Sequence, residues 1–382
     1  MPVPKGFRVA TLFGIPVRID PTWFIVLLLL SWTLSTSYFP EHHQGWSRGI
    51  YWILGTSGAI LLFLSVLLHE LGHALVARGA DMRVHGITLF LFGGVSEVTE
   101  EPPSAAVEVK VTAGGWLVSA ALAVICYIVH RLMPSATQVS AVVKALFGWL
   151  AAVNAMLFVF NGIPGFPLDG GRLLRAFLWY FLKSLRRATY IASNVGAGFG
   201  ILFIVLGVFQ FITGRFVGGL WLAMIGLFLR NAARASYSQM LLRQALEGVP
   251  VSQLMSTELV TVPPSITLRE LVRDHFMRHR FHSFPVVEGE RLRGMISLHE
   301  VKEVDEGEWD VRTVQDVLDR QGPAEVGTVS PFADAMDAFA EMARTGRGRL
   351  AVVDGDRLVG IVSRRDILHF LAIKTDLLPE GV

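Results

Sequence analysis

His69, Glu70 and His73 are the residues of this 382-residue chain whose types and spacing point most directly to chemistry. They stand in HELGH at 69–73, near the end of a long apolar run, ILGTSGAILLFLSVLL, that reads as helix. Residues four apart share one face of a helix, so both imidazoles can reach a single metal ion while Glu70 projects beside a metal-bound water. Ionisable groups within an apolar span are costly, at least about 2.5 kcal/mol for a charged one at the bilayer centre, so three together point to function. The bland alternative is a hydrogen-bonded polar helix end. A catalytic zinc usually takes three protein ligands and keeps a fourth position for water, so one ligand is still to be found. Asp169, in PLDGG, offers a carboxylate on irregular backbone. Its alternative role is to cap the helix that starts at Gly170 or Gly171. Glu97, Glu100 and Glu101 are further acidic candidates, in what reads as a solvated loop.

The elements that must position these groups belong to a membrane protein. The chain is 52% hydrophobic and 17% charged, with a mean hydropathy of +0.49, against about 25% charged residues in soluble domains. Apolar runs long enough to span a bilayer fall near 21–39, 51–77, 108–133, 142–161, 194–213 and 217–231. Six spans put both termini on one side. That side receives thirteen Lys and Arg residues between Lys5 and Arg243, whereas the other receives Arg48, Arg131 and Arg215. Positive residues favour the cytoplasm, so the termini, the 78–107 loop and the 161–193 segment are expected there. The first apolar run lacks a small-residue cleavage site and reads as a span, not a signal peptide. A net charge of +2 and scattered basic residues imply lipid, not nucleic acid, as the neighbour. The lone Cys126 excludes an internal disulfide.

Two connections are unusual. Val84 to Val98 (VHGITLFLFGGVSEV) carries β-branched and aromatic residues around Gly93 and Gly94, which predicts a hairpin or short strand pair; the alternative is an amphiphilic loop on the headgroups. NGIPGFPLDGGR at 161–172 interrupts an apolar stretch with prolines and glycines through which helix cannot continue. Irregular backbone at membrane depth must be buried in protein or line a watery cavity. Gly196 and Gly200 give the small-residue spacing of close helix packing. His42, His43, His85 and His130 lack metal-like company and read as interface or surface residues.

From about 250 onward the chain repeats itself. FPVVEGERLRGMISLHEV (284–301) aligns without gaps with LAVVDGDRLVGIVSRRDI (350–367), and TVPPSITLRELV (261–272) matches TVSPFADAMDAF (328–339). Each copy reads as strand, helix, two strands joined by a tight turn, and helix. The expected architecture is a polytopic α-helical membrane domain of about six transmembrane helices (1–231), a linker (232–249), and a soluble α/β pair (250–306 and 307–376).

HELGH at 69–73 together with NGIPGFPLDGGR at 161–172 closely resembles the site-2 protease family, the zinc-dependent intramembrane proteases. The resemblance covers roughly residues 1–230 and implies one Zn2+ per chain held by His69, His73 and Asp169, with Glu70 as catalytic base. Where relatives carry an A-G-P stretch opening the third span, this chain has Ala113-Gly114-Gly115. No inserted domain of about eighty residues is present, which resembles the compact branch that includes the sporulation pro-sigma-factor proteases. The substrate so implied is a membrane-anchored protein, which must unwind locally to expose a carbonyl. The 84–98 hairpin, with Gly93 and Gly94, could take it by strand addition. Asn161 and Asn154 could bond its backbone or a developing oxyanion. Asn154 is the weaker of the two, because polar residues also join helices.

The C-terminal repeat resembles a pair of CBS domains, a sensory module that often binds adenosine-containing ligands. The resemblance lies in GIVSRRD (360–366) and GMISLHE (294–300), and implies a hydroxyl and an acid near a ribose: Ser363 with Asp366, and Ser297 with Glu300, which replaces the usual Asp. Without a ligand each acid would cap its helix. The basic run Arg278 to His282 could meet phosphates or be a solvated helix face. A cytoplasmic CBS pair implies regulation by an adenine nucleotide or by homodimerisation. The rival expectations are a CBS-regulated transporter, which has no need of Glu70 beside a histidine pair, and an inactive membrane scaffold.

Overall fold

Residues 6–98, 100–279, 281–320 and 327–377 are described by a computed structural model. The chain divides into two compact units that meet in sequence at residues 240 and 241. The first begins with β1 (Phe7–Leu12) and β2 (Ile15–Ile19), antiparallel about Phe13 and Gly14, both at positive φ. Then come α1 (Thr22–Thr33), a π-turn at Leu34–Tyr38, and α2 (Phe39–His42), a continuous 21-residue helical segment. It is followed by α3 (Arg48–Gly79), β3 (Val84–Phe90), β4 (Gly93–Val98), α4 (Ala105–Leu132) and α5 (Gln138–Asn161). The unit ends with α6 (Asp169–Leu182), α7 (Leu185–Ile212) and most of α8 (Phe216–Leu246).

Six of these segments, 22–42, α3, α4, α5, α7 and α8, are long and apolar enough to cross a membrane. Their outer faces carry exposed Ile53, Leu117, Ile128, Val159, Leu206 and Val217, while Thr112, Ser119, Asn154 and Asp169 are buried. That inversion of the soluble pattern is what a hydrocarbon solvent selects. The hairpin expected at 84–98 is present as β3 and β4, within a four-stranded sheet ordered β1-β2-β3-β4. The sequence reading missed β1 and β2. The available signal was Phe13-Gly14 between two short β-prone runs, and β2 docks parallel on β3, a pairing no local pattern announces. Of the two small residues read as a packing pair, Gly200 lies against α8 at Gly226 and Arg230, whereas Gly196 meets the backbone of Phe166.

The second unit holds α9 (Leu268–Glu270), β5 (Ser283–Glu288), β6 (Arg291–Ser297), α10 (Leu298–Lys302) and α11 (Val314–Arg320). Beyond them lie β7 (Thr328–Val329), α12 (Ala335–Thr345), β8 (Arg349–Asp354), β9 (Arg357–Ser363) and α13 (Arg364–Leu377). The sheet order is β5-β6-β9-β8-β7. Ser283 faces Ser297 in one hairpin and Arg349 faces Ser363 in the other, with register shifts at 286/287 and 352/353, so the gapless repeat is also a repeat of register.

Two differences from the sequence boundaries emerge. The stretch read as a linker is helical to Leu246, and Leu242, Leu246 and Val249 pack with Val251 and Leu254 against Ala335, Met342 and Val352 of the second copy. Conversely, Val314 and Val317, assigned to the second copy, pack with Leu268, Phe284 and Ile296 of the first. Apolar side chains at each copy's start bury themselves on the other copy, which a linear boundary cannot express. Residues 321–326 of the second copy, and Arg280 of the basic run, lie outside the described residues.

Candidate metal centre

α3 presents His69 and His73 one turn apart, both buried. Asp169 reaches them from the first turn of α6, across about a hundred residues of sequence. The contacts are His69 Nε2 to Asp169 Oδ2 at 3.1 Å, His73 Nε2 to Asp169 Oδ1 at 3.2 Å, and the two Nε2 atoms at 3.1 Å. Ligands about 2.0–2.1 Å from a tetrahedral zinc would be roughly 3.3 Å from one another, and each nitrogen lies at close to that spacing from the other and from one oxygen of the carboxylate. Lone-pair chemistry supports the same reading. His73 Nδ1 donates to the Val111 carbonyl at 2.8 Å, which leaves Nε2 as a bare acceptor; His69 Nδ1 has the Ser119 hydroxyl at 2.9 Å. Asp169 Oδ2 is buried without a properly oriented hydrogen bond despite its nearness to His69. Acceptors facing one another in a dry interior are costly unless a cation lies between them. Among the described residues these three form the one cluster able to share a metal ion.

The capping role for Asp169 is not what the fold uses. Leu168 is the cap residue of α6 and makes no side-chain bond, while the Asp169 carboxylate turns to the histidines. The two glycines that follow make this possible. A Cβ on Gly171 would lie 2.2 Å from the Gly165 carbonyl carbon, and one on Gly170 2.4 Å from the carbonyl oxygens of Gly162 and Ile163. The irregular 162–168 segment therefore folds back onto the start of α6. On the opposite wall, a Cβ at Gly115 would lie 2.2 Å from His73 Nε2. The departure noted at Ala113-Gly114-Gly115 thus falls where the imidazole needs space.

Glu70 is held from the sheet. Its Oε2 accepts a 2.6 Å hydrogen bond from the Ser96 hydroxyl on β4, and a Cβ on Gly94 would lie 2.6 Å from Glu70 Cγ. Gly93, at φ 131°, opens the strand with free space around it. β4 is an edge strand, so one rim of backbone donors and acceptors beside Glu70 is unpaired by the sheet. Ser96 was missed from sequence, since a lone serine in a hairpin carries no signal of its own. Glu97, a weighed alternative ligand, instead pairs with Arg18 at 2.9 Å and Thr88 at 2.7 Å. Glu100 pairs with Arg83, and Glu101 with Arg175.

A second buried polar group braces the centre. Arg175, two turns after Asp169 on α6, donates Nε to Glu108 Oε1 at 2.6 Å and also engages Glu101 at 3.2 Å. Arg175 and Glu108 are 5% and 1% exposed, and the guanidinium stacks 5.3 Å from the Phe166 ring. The pair joins α6, which carries Asp169, to α4, which carries Val111 and Ser119. Asn154 joins helices too: its amide donates to Ser65 Oγ at 3.2 Å and to the Leu150 carbonyl at 2.9 Å, leaving Oδ1 buried without a partner. Asn161 is the last residue of α5, half-buried, eight positions before Asp169.

In the second unit the acids do cap. Asp366 Oδ2 accepts from the Ser363 amide at 2.9 Å and its hydroxyl at 2.6 Å, and Glu300 closes the matching box with Ser297.

The sequence model of Peptidase family M50 matches residues 57–142 and 131–205, and the CBS domain model matches 251–307 and 314–373. Rip3 of Mycobacterium tuberculosis is 32% identical over 380 residues, 99% of this chain and 95% of that protein. The chain belongs to peptidase family M50, the site-2 proteases. Zinc metalloprotease MJ0392 of Methanocaldococcus jannaschii, another relative of this M50 chain, is 30% identical over 371 residues, 96% of each protein. A solved structure titled Site-2 Protease from Methanocaldococcus jannaschii aligns at 26% identity with a TM-score of 0.40, covering 61% of this chain and 95% of that one. The M50 chain is thus a multi-pass membrane protein of a zinc metalloprotease family with a C-terminal CBS pair. Family membership brings zinc to it; the described residues that fit the ion are His69, His73 and Asp169.

Proposed function

We propose that the protein is an intramembrane zinc endopeptidase that hydrolyses a peptide bond in membrane-anchored protein substrates, with His69, His73 and Asp169 as ligands and Glu70 as base. The observation that carries the reading is the buried cluster of two imidazole nitrogens and a carboxylate, in mutual contact at 3.1–3.2 Å, one helix position from a glutamate. When bound, zinc lowers the pKa of its water to about 7 and polarises a carbonyl. Glu70 takes the water's proton and passes it to the departing amine. Ser96, bonded to Oε2, orients that carboxylate. The free edge of β4, opened by Gly93 and Gly94, pairs with substrate unwound into extended form. Asn161 is assigned to substrate backbone. Asn154 acts through its bonds to Ser65 and Leu150, as a positioning residue.

The charge asymmetry of the loops supports a cytoplasmic location for both termini and the CBS pair, with the metal centre towards that side of the bilayer. The CBS pair is assigned an adenine nucleotide or a second copy of the chain as its regulatory partner. For ribose to engage Asp366 or Glu300, each acid has to share its carboxylate with the cap it already makes.

Glu70→Gln tests the central claim. The purified variant should retain one zinc per chain and cleave a single-span substrate on the order of a thousandfold more slowly. Cleavage at the normal rate would remove Glu70 from its role; zinc loss would make it a structural residue.

A further inference from the structure

At the end of the membrane unit away from the metal centre lies a cleft of about 760 Å³ between the 38–46 segment, α4 and α5. The 38–46 segment leads directly into the start of α3 at Arg48, about 31 Å along that helix from His69. The cleft's chemistry is graded. His42, His43, His130 and Lys144 line it together with Tyr38, Trp46 and Tyr127, and no Asp or Glu does. Its long wall is small and apolar: Ala141, Ala145, Gly148, Ala152 and Ala155 along α5, with Ala123 and Val124 opposite.

The aromatic and imidazole rings at the mouth are held by specific contacts. The Tyr51 hydroxyl donates to the His43 carbonyl at 2.6 Å and accepts from the Trp46 amide at 3.2 Å, so the 43–46 turn is pinned and the His43 ring stacks flat on Trp46. His42 stacks 4.2 Å from Tyr38 and bonds the Tyr38 carbonyl through Nδ1; His130 Nδ1 bonds the Lys144 carbonyl at 2.9 Å. A carbonyl only accepts, so each of those two rings donates from Nδ1 and is fixed in orientation by that bond. Burial, followed by the nearness of His42 and His130, holds His43 below the ordinary imidazole range. Gly148 is part of the construction, because a Cβ there would lie 2.6 Å from His130 Nδ1.

Dimensions choose the occupant. A spanning helix runs about 30 Å, longer than the lined stretch of α5. From Ala141 to Ala155 the wall runs about 21 Å. That equals one leaflet, about 15 Å of hydrocarbon with a headgroup layer of about 6 Å. Aromatic residues at the mouth match the interfacial belt.

We propose that this cleft binds one anionic phospholipid of the leaflet opposite the metal centre, its phosphate at Lys144 and the histidines and an acyl chain along the α5 wall. The site is independent of the protease reading. Full-length protein, delipidated in detergent, is titrated with phosphatidylglycerol, with phosphatidylcholine of the same chains, and with glycerol 3-phosphate, and bound ligand is counted by native mass spectrometry. One phosphatidylglycerol per chain is expected, at least about fivefold tighter than phosphatidylcholine, with no retention of glycerol 3-phosphate. Lys144→Gln with His43→Gln should abolish the preference, and Gly148→Val should weaken both lipids, with helical circular dichroism unchanged. Should the double variant fail to fold, Lys144→Gln alone carries the same test. Equal binding of the two lipids, a preference that survives in the folded charge variants, or unchanged retention by Gly148→Val overturns the proposal. So does one-for-one displacement by a neutral single-span peptide, which would assign the cleft to a helix.

Discussion

Asp169 and Asp366 occupy the same kind of place in sequence, an acid at or near the start of a helix, and the two units use them in opposite ways. Asp366 closes a local box with Ser363, three residues away, as does Glu300 with Ser297. Asp169 forgoes capping and meets His69 and His73 on another helix. In the second unit water can solvate a helix end, so a local hydrogen bond suffices. In the first, a carboxylate that far from water needs cationic or metal partners from the tertiary structure. An acid at a helix start is therefore a local statement in one solvent and a long-range one in the other.

The largest expected effect tests that contrast directly. Asp169→Ala should weaken zinc binding on the order of a thousandfold, beyond the 10–100-fold typical of residues that only support ligands; competition with a chelator measures it. Zinc affinity unchanged would return Asp169 to the class of Asp366. Next is Arg175→Ala, which strands Glu108 as a buried unpaired carboxylate and should cost about 3 kcal/mol in stability. Thermal unfolding in detergent reads it, and Arg175→Ala with Glu108→Gln should recover much of the loss. Ser119→Ala removes the oxygen beside His69 Nδ1 and should weaken zinc about tenfold with little change in unfolding. A large fall in stability instead would make Ser119 a packing residue. Asp366→Ala is the smallest: about 1 kcal/mol from the loss of a cap, with zinc content untouched. Denaturant unfolding of the second unit's sheet reports it, and a loss of zinc there would break the separation between the two acids.

Much of this was legible from the amino acids. Apolar runs of about twenty residues announced the spans, since hydrocarbon demands self-bonded helices there whatever they pack against. HELGH placed two imidazoles on one helix face because four residues make about one turn. The repeat carried the register of both C-terminal hairpins, from Ser283–Ser297 to Arg349–Ser363. In each case the determining neighbours are a few residues apart, and covalent geometry alone brings them together.

The tertiary structure decided what local geometry could not reach. It chose Asp169 over Glu97 as the histidines' partner, by folding the 162–168 segment onto the glycines of α6 and giving Glu97 to Arg18. It set Ser96 on Glu70, docked β2 beside β3, buried Arg175 against Glu108, and exchanged the starts of the two C-terminal copies. Each is a contact between residues distant in the chain. Only when the helices close around one another does a carboxylate lose water, and only then does its partner become a matter of energy and not of sequence position.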